Sequence, residues 1–344
     1  MIWNRLIVIA GIAFSAILVA LPAPQFGGRG GAIGIDPQRQ VPGNAPAAAP
    51  ASTVSVQPPS ETDPDTVTFY VSVTGKDNNA VPGIARDRFQ IFEDGDEQKV
   101  SYFWEDSRPM TVGFLFDDSR RMDTNDKILV LKDAAQAFLK GKGADDEFFL
   151  ARMASLANVA TSFTTQVSNL PVNYIPSGET FGLALYDTIY MGLSVIKEGA
   201  NPRKILVVVT SGGDRCCSDD HKTTKEDQLK AYALKQEKVQ IYTLFVVDQI
   251  EDGDSEMVHR DAIVLGDLAS MTGGRMYNAP NAARAVEAQM AELARGLKTQ
   301  YLVGFKSTRP HDGKRRGLRV KVNSPEGSQK LSVWTKAQYY SPRD

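Results

Sequence analysis

An apolar run, Val112-Gly-Phe-Leu-Phe, opens directly onto Asp117, Asp118 and Ser119, and then onto Arg120, Arg121 and Met122. Two carboxylates and a hydroxyl at the end of a buried strand are the oxygen ligands that Mg²⁺ and Ca²⁺ take. In a doubly wound sheet, the crevice outside the carboxyl ends of the strands is also where ligands bind. The arginines argue the other way: a guanidinium repels a cation and matches a carboxylate bidentately. The segment is therefore either a working metal site or one in which Arg121 takes the cation's place against Asp117 or Asp118.

Other chemistry is sparse. His221, His259 and His311 are far apart and form no HExxH pattern. No GxSxG elbow or phosphate-cradling glycine loop occurs, and adjacent carboxylates such as Asp117-Asp118 seldom converge on one substrate atom. The chain reads as non-enzymatic. Its only cysteines, Cys216 and Cys217, are adjacent. In an oxidising compartment they bridge to each other, link two chains or stay free. Adjacent Cα atoms lie about 3.8 Å apart, below the usual disulfide range of roughly 4.4–6.8 Å, so a vicinal bridge is strained. Two neighbouring thiolates and His221 make a poor zinc set.

The elements around these residues change rhythm twice. From Val67 to Phe103 short alternating runs surround an Asp94-Gly95 turn, a hairpin signal. Between 109 and 298 apolar strands (112–116, 147–151, 204–210, 239–247) alternate with helical patterns (127–139, 182–196, 224–235, 261–271, 282–296). That alternation predicts a doubly wound, mostly parallel α/β sheet. From 299 to 344 strands return: Tyr301–Phe305, Leu318–Val322 and Leu331–Trp334. Neither flank is large enough to stand alone, which predicts one small β module built from 67–108 and 299–344. Phe69, Phe89, Phe92, Tyr301, Phe305 and Trp334 are the aromatics expected in its core or at its junction with the α/β part.

With 344 residues, 42% of them hydrophobic, the chain is long enough for two such cores. A net charge of −2 gives no support for a nucleic-acid partner. Lys314-Arg315-Arg316, with Arg319 and Lys321, reads as a solvated hairpin rather than a polyanion site. Residues 1–23, with Arg5 before an apolar run from Leu6 to Ala23, read as an export signal or a retained membrane anchor. Residues 24–66, rich in Gly, Pro, Ala and Ser, read as a disordered linker. Periplasm, cell envelope or secretion is the expected location, with membrane contact only through the uncleaved leader.

Over roughly Val67 to Tyr340 the chain resembles exported bacterial von Willebrand factor A (VWFA) domain proteins of the acidobacterial type. The stretch Phe89-Gln-Ile-Phe-Glu-Asp-Gly-Asp-Glu-Gln-Lys is similar to that group's "DFxxxEDGxxQ", Thr299-Gln-Tyr-Leu-Val-Gly-Phe to its "QYLLGY", and Tyr339-Tyr340 to its aromatic close. The resemblance implies a Rossmann-like sheet whose strand tips carry a metal-ion-dependent adhesion site. That site takes Asp-x-Ser-x-Ser after the first strand, a Thr from a second loop and an Asp from a third. Asp117 and Ser119 match. Arg121 stands at the second Ser, Leu183 at the Thr (with Thr180 one helical turn upstream) and Ser211 at the Asp. Mg²⁺ or Ca²⁺ binding is therefore expected to be weak or absent, unless Asp118 or Asp214 substitutes.

Two functions follow. The first is an adhesion or interaction module that binds a protein or cell-surface ligand through the loops holding Asp117, Asp118, Ser119, Arg121, Thr180 and Asp214. The second is a structural or assembly component of the envelope. An apolar rim with Met122 and Phe181 pointing outward favours the first; a tip sealed by Arg121 favours the second.

Overall fold

The computed structural model describes residues 65–76, 78–122, 127–171, 182–214, 224–247, 255–280, 283–324 and 330–343. The expected leader and most of the linker, together with Thr180, Phe181, Cys216, Cys217 and His221, lie outside the described residues.

The chain enters through β1 (Thr66–Thr74), in which Val67, Phe69, Val71 and Val73 alternate inward. It continues through β2 (Phe89–Glu93), β3 (Asp96–Gln98) and β4 (Val100–Asp106). Asp94 and Gly95 between β2 and β3 both have positive φ, 48° and 97°, as a tight primed hairpin turn requires. The α/β part follows: β5 (Met110–Asp117), α1 (Lys127–Leu139), β6 (Glu147–Met153), β7 (Ala157–Val159), α2 (Leu185–Val195), β8 (Arg203–Thr210), α3 (Glu226–Leu234), β9 (Val239–Val247), α4 (Ser255–Thr272), β10 (Met276–Pro280) and α5 (Ala283–Leu297). The chain closes with β11 (Gln300–Lys306), β12 (Arg315–Val322), β13 (Ser332–Thr335) and β14 (Gln338–Tyr340). Among the described residues no helix is long and apolar enough to cross a membrane.

The central sheet has the order β10-β9-β8-β5-β6-β7, parallel except for β7. This is the α/β fold that the alternation of elements predicts. β5 is buried along its whole length, as a strand covered on both faces must be. The chain leaves β5 for β6 on one side and returns to β8 on the other, so the strand order switches at β5, where Asp117 sits. The sequence reading omits β7 and β10. Both are short edge strands, and β10 (Met-Tyr-Asn-Ala-Pro) lacks the apolar run that marks its neighbours. It also starts α4 at Asp261, six residues after the helix begins at Ser255.

The flanks interleave into two antiparallel four-stranded sheets, β13-β1-β11-β4 and β14-β12-β2-β3. Each contains strands from both ends of the chain, and the two share one apolar core that includes Val71, Phe89, Ile91, Tyr301, Phe305 and Tyr339. Phe89, Phe103 and Tyr301 pack with ring centroids 5.0–5.6 Å apart. One expected core aromatic is corrected: Phe92 points outward, beneath Arg319 and Lys321, because alternation from the inward Ile91 sends it to the other face. Trp334 lies at the junction, where Arg275 is held 4.5 Å from its ring and 4.6 Å from that of Tyr277.

The junction is polar and closely tied. Gln300 pairs with Asp106, so the α/β part leaves and re-enters the β module at neighbouring residues. Arg203, 1% exposed, donates to the carbonyls of Arg108 and Leu297 and to Gln300 Oε1 at 2.9 Å, gripping both crossings. Burial pushes the Asp106 carboxyl up, but hydrogen bonds from Arg108 and the charge of Arg203 outweigh it and hold the group below its ordinary value. Between β13 and β14, Ala337 donates to Ser270 at the end of α4. Beside it, the Lys336 ammonium sits about 6 Å from the rings of Phe69 and Tyr339.

Burial lowers the Lys336 pKa from 10.5 to about 8, with the charge of Glu237 opposing the shift. Below about pH 8 the lysine is charged in both states, so the folded state carries the full desolvation cost. As pH rises from 8 towards 10.5 the folded protein releases the proton first and the cost disappears. Lys336→Met is therefore expected to stabilise the protein at pH 7 by about 2–3 kcal/mol, with the gap closing towards pH 10.5. Denaturant midpoints of the two proteins across that range check it; a less stable variant, or a pH-independent gap, contradicts it.

Candidate functional site: the strand tips

Asp117 is the last residue of β5 and has no exposed surface. Its carboxylate is filled with donors from its own and a neighbouring loop. The Ser119 amide donates to Oδ1 at 2.9 Å. Thr210 Oγ1, the Ser211 amide and Ser211 Oγ donate to Oδ2 at 2.9, 2.9 and 3.1 Å. Four donors therefore satisfy the oxygens of this buried carboxylate without a cation.

The remaining acids are engaged elsewhere. Asp118, 3% exposed, forms an ion pair with Arg152 of β6 at 2.5 Å, while its amide donates to the Met153 carbonyl. Asp214 lies after β8 and accepts from the amides of Leu185 and Tyr186 at 3.0 and 3.4 Å. It thereby caps α2, whose own N-cap residue Ala184 makes no side-chain cap; first-turn amides and the helix dipole both favour a carboxylate there. Asp214 is thus more than the turn residue its place after two glycines suggests.

Arg121 is half-buried in the short turn after Ser119, and its guanidinium lies against the loop after β8. A Cβ on Gly213 would lie 3.0 Å from Arg121 Nη1, and the φ of 90° at this position favours glycine. Ser119 Oγ is the one buried side-chain oxygen among these residues with no partner. Leu183, at the family's Thr position, is 2% exposed and packs in the core beneath α2.

Thr210, Tyr186 and Asp261, which tie the strand-tip loops together, escape the sequence reading. Thr210 bonds Asp117. Asp261 on α4, fully buried, accepts the Gly213 and Asp214 amides at 2.8 and 2.7 Å and the Tyr186 hydroxyl at 2.7 Å. Burial, followed by the charge of Asp261, pushes the Tyr186 phenol well above its ordinary pKa. Asp261 looks like an ordinary surface acid of an amphipathic helix, and nothing in its local sequence marks it. The rim contains Leu156, 72% exposed in the β6–β7 turn, whereas Met122 is fully buried in the core and does not point outward. Neither His259 nor His311 contacts Asp117, whose hydrogen bonds come from Ser119, Thr210 and Ser211.

No family model matches the sequence, and no curated protein matches it. Among solved structures the chain is similar to the PilB minor pilin from Streptococcus sanguinis, with a TM-score of 0.41 and 10% identity over 57% of this chain and 62% of that one. It is also similar to the vWF domain of the type V pili tip protein Mfa5 from Porphyromonas gingivalis, with a TM-score of 0.42 and 9% identity over 56% and 96% of the two chains. A von Willebrand factor type A protein from Catenulispora acidiphila gives a TM-score of 0.41 and 10% identity over 79% and 74%. The chain spans 62% of the length of the streptococcal pilin it matches. At these identities the likeness concerns fold alone, and the architecture stands on the strand order and cores described above.

Asp261→Ala leaves two amides and a phenol buried without an acceptor and is expected to cost about 3 kcal/mol or more. Tyr186→Phe alone is expected to cost about 1 kcal/mol. In a double-mutant cycle by chemical denaturation the two changes should be strongly non-additive, because they share a hydrogen bond. Additive costs would contradict the arrangement.

Proposed function

We propose that this chain is an exported, non-enzymatic interaction module of the von Willebrand factor A type, whose strand-tip loops are held by internal hydrogen bonds in place of a metal ion. The observation that carries this reading is the Asp117 carboxylate, which already accepts four hydrogen bonds from Ser119, Thr210 and Ser211. A divalent cation would have to displace donors from Oδ2 and take a position near the Arg121 guanidinium. The Ser119 hydroxyl, which has no hydrogen-bond partner, is one neutral ligand it would gain. Among the described residues no group of three His, Cys, Asp or Glu is placed to hold a metal. The residues present do not fit Mg²⁺ or Ca²⁺, and no step of the proposed function runs through either.

The loops that surround Asp117 meet at the switch point of the sheet, the part of this architecture that offers a concave recognition surface. Leu156 gives that rim one large exposed apolar side chain, a single point of contact for a protein or cell-surface ligand. The burial of Met122 and the position of Arg121 favour the second reading, a structural envelope component with a closed tip. Envelope or extracellular location belongs to the same proposal and rests on the apolar segment at residues 6–23.

Calorimetric titration of Mg²⁺, Mn²⁺ and Ca²⁺ into the protein is expected to give no saturable heat at micromolar metal. Saturable binding that Asp117→Ala abolishes would overturn the proposal. The repaired variant Arg121→Ser with Ser211→Asp places two carboxylates in contact. It is expected to melt lower than the parent in chelator and to regain stability with Mg²⁺ by mass action. Leu183→Thr is left out of this repair because Leu183 is part of the core. Capture of a surface ligand that Leu156→Asp abolishes would separate the binding reading from the structural one.

A further inference from the structure

Along β12, Leu318 and Val320 turn into the β-module core, so alternation sends Arg315, Gly317, Arg319 and Lys321 to the outer face, where all four are exposed. Their cross-strand neighbours share that face. Arg315 is opposite Tyr340 of β14, and Arg319 is opposite Phe92 of β2. Arg319 and Lys321 both lie over the Phe92 ring, at 4.6 and 5.2 Å from its centroid.

The acids nearby are already engaged. Asp94 and Asp96 face Arg309 and Arg316, and Asp312 faces Lys314 and Arg316. Glu97, at the far side of the face, accepts from Gln90 at 3.2 Å. Among the described residues no acid pairs with Arg315, Arg319 or Lys321. Three cations without an ion-pair partner among the described residues therefore form a row about 20 Å long on a sheet surface, interleaved with two half-buried aromatic rings and with Glu97, opposite Phe92, as an acid on the same face. The chain as a whole carries −2, so any attraction for an anion is a property of this face and not of bulk charge.

We infer that this outer face of the β module docks on an anionic lipid surface. A bilayer presents phosphates in a plane, which a row on a sheet can meet with every cation at once. Tyr and Phe rings between the cations suit the headgroup level. Each basic side chain near such a surface is worth about fivefold in partitioning, so the three together contribute roughly a hundredfold. This contact is separate from the strand tips and from any insertion of residues 6–23.

Co-sedimentation of the full chain with vesicles of phosphatidylcholine alone, and of phosphatidylcholine mixed with phosphatidylglycerol, tests it. The parent is expected to partition far more strongly to the anionic vesicles, in a way that high salt abolishes. The triple variant Arg315→Gln, Arg319→Gln, Lys321→Gln is expected to lose roughly a hundredfold on the anionic vesicles and nothing on the zwitterionic ones. A control that removes three exposed cations from the α/β part, Lys140→Gln, Lys235→Gln, Lys298→Gln, is expected to behave as the parent. Equal losses in the two triple variants, or no preference of the parent for anionic vesicles, would overturn the inference. So would salt-sensitive binding to soluble poly-glutamate without binding to vesicles, which would make the occupant an acidic polymer.

Discussion

A buried arginine governs how the two halves of this protein are joined. Arg203 stands at the base of β8, and its guanidinium holds Arg108 on the way into the α/β part and Leu297 and Gln300 on the way out. A charge out of water is tolerated only where dipoles or an opposite charge surround it. Here two carbonyls, an amide oxygen and the field of Asp106 do so. Asp106 is in turn fixed by Arg108 and by the Tyr70 hydroxyl at 2.9 Å. Because its partners come from both crossings, the full arrangement exists only when the β module and the α/β sheet are assembled together. The insertion is closed here by buried polar groups drawn from both of its ends.

The opposite end of the sheet is organised by carboxylates. Asp117 binds its own loop to the loop after β8, Asp214 binds that loop to α2, and Asp261 binds it to α4. Each acid accepts from backbone amides, so the loops are held by main-chain geometry that side-chain variation elsewhere leaves intact. Two successive glycines with φ of 74° and 90° let the chain turn tightly enough to present those amides. Where a cation would gather oxygen ligands from three loops, this protein gathers amide and hydroxyl donors onto its acids and lays Arg121 beside them.

Much of this is legible in the sequence, and the rest is hidden for physical reasons. β5, β8 and β9 announce themselves as continuous apolar runs because both faces are covered, and the Asp94-Gly95 turn is marked by its residue types. β7 and β10 are not, since edge strands of three to five residues need no apolar run. At the tips, Asp117, Ser119 and Arg121 are found from position alone. Asp261 is not, because its partners, Gly213 and Tyr186, are 48 and 75 residues away in the chain. Long-range polar pairing of this kind leaves no periodic trace. Phe92 shows a subtler failure: an aromatic in a strand reads as core until the register decides which face it takes.

The central claim is that the strand-tip loops are complete without a metal. Amide hydrogen exchange at Ser119, Ser211, Gly213 and Asp214 addresses it most directly, because those amides are the donors that hold the tips together. Measured in chelator and again in millimolar Mg²⁺ or Ca²⁺, their protection should be equal and close to that of the neighbouring strands β5 and β8. Protection that appears only with divalent metal would contradict the account.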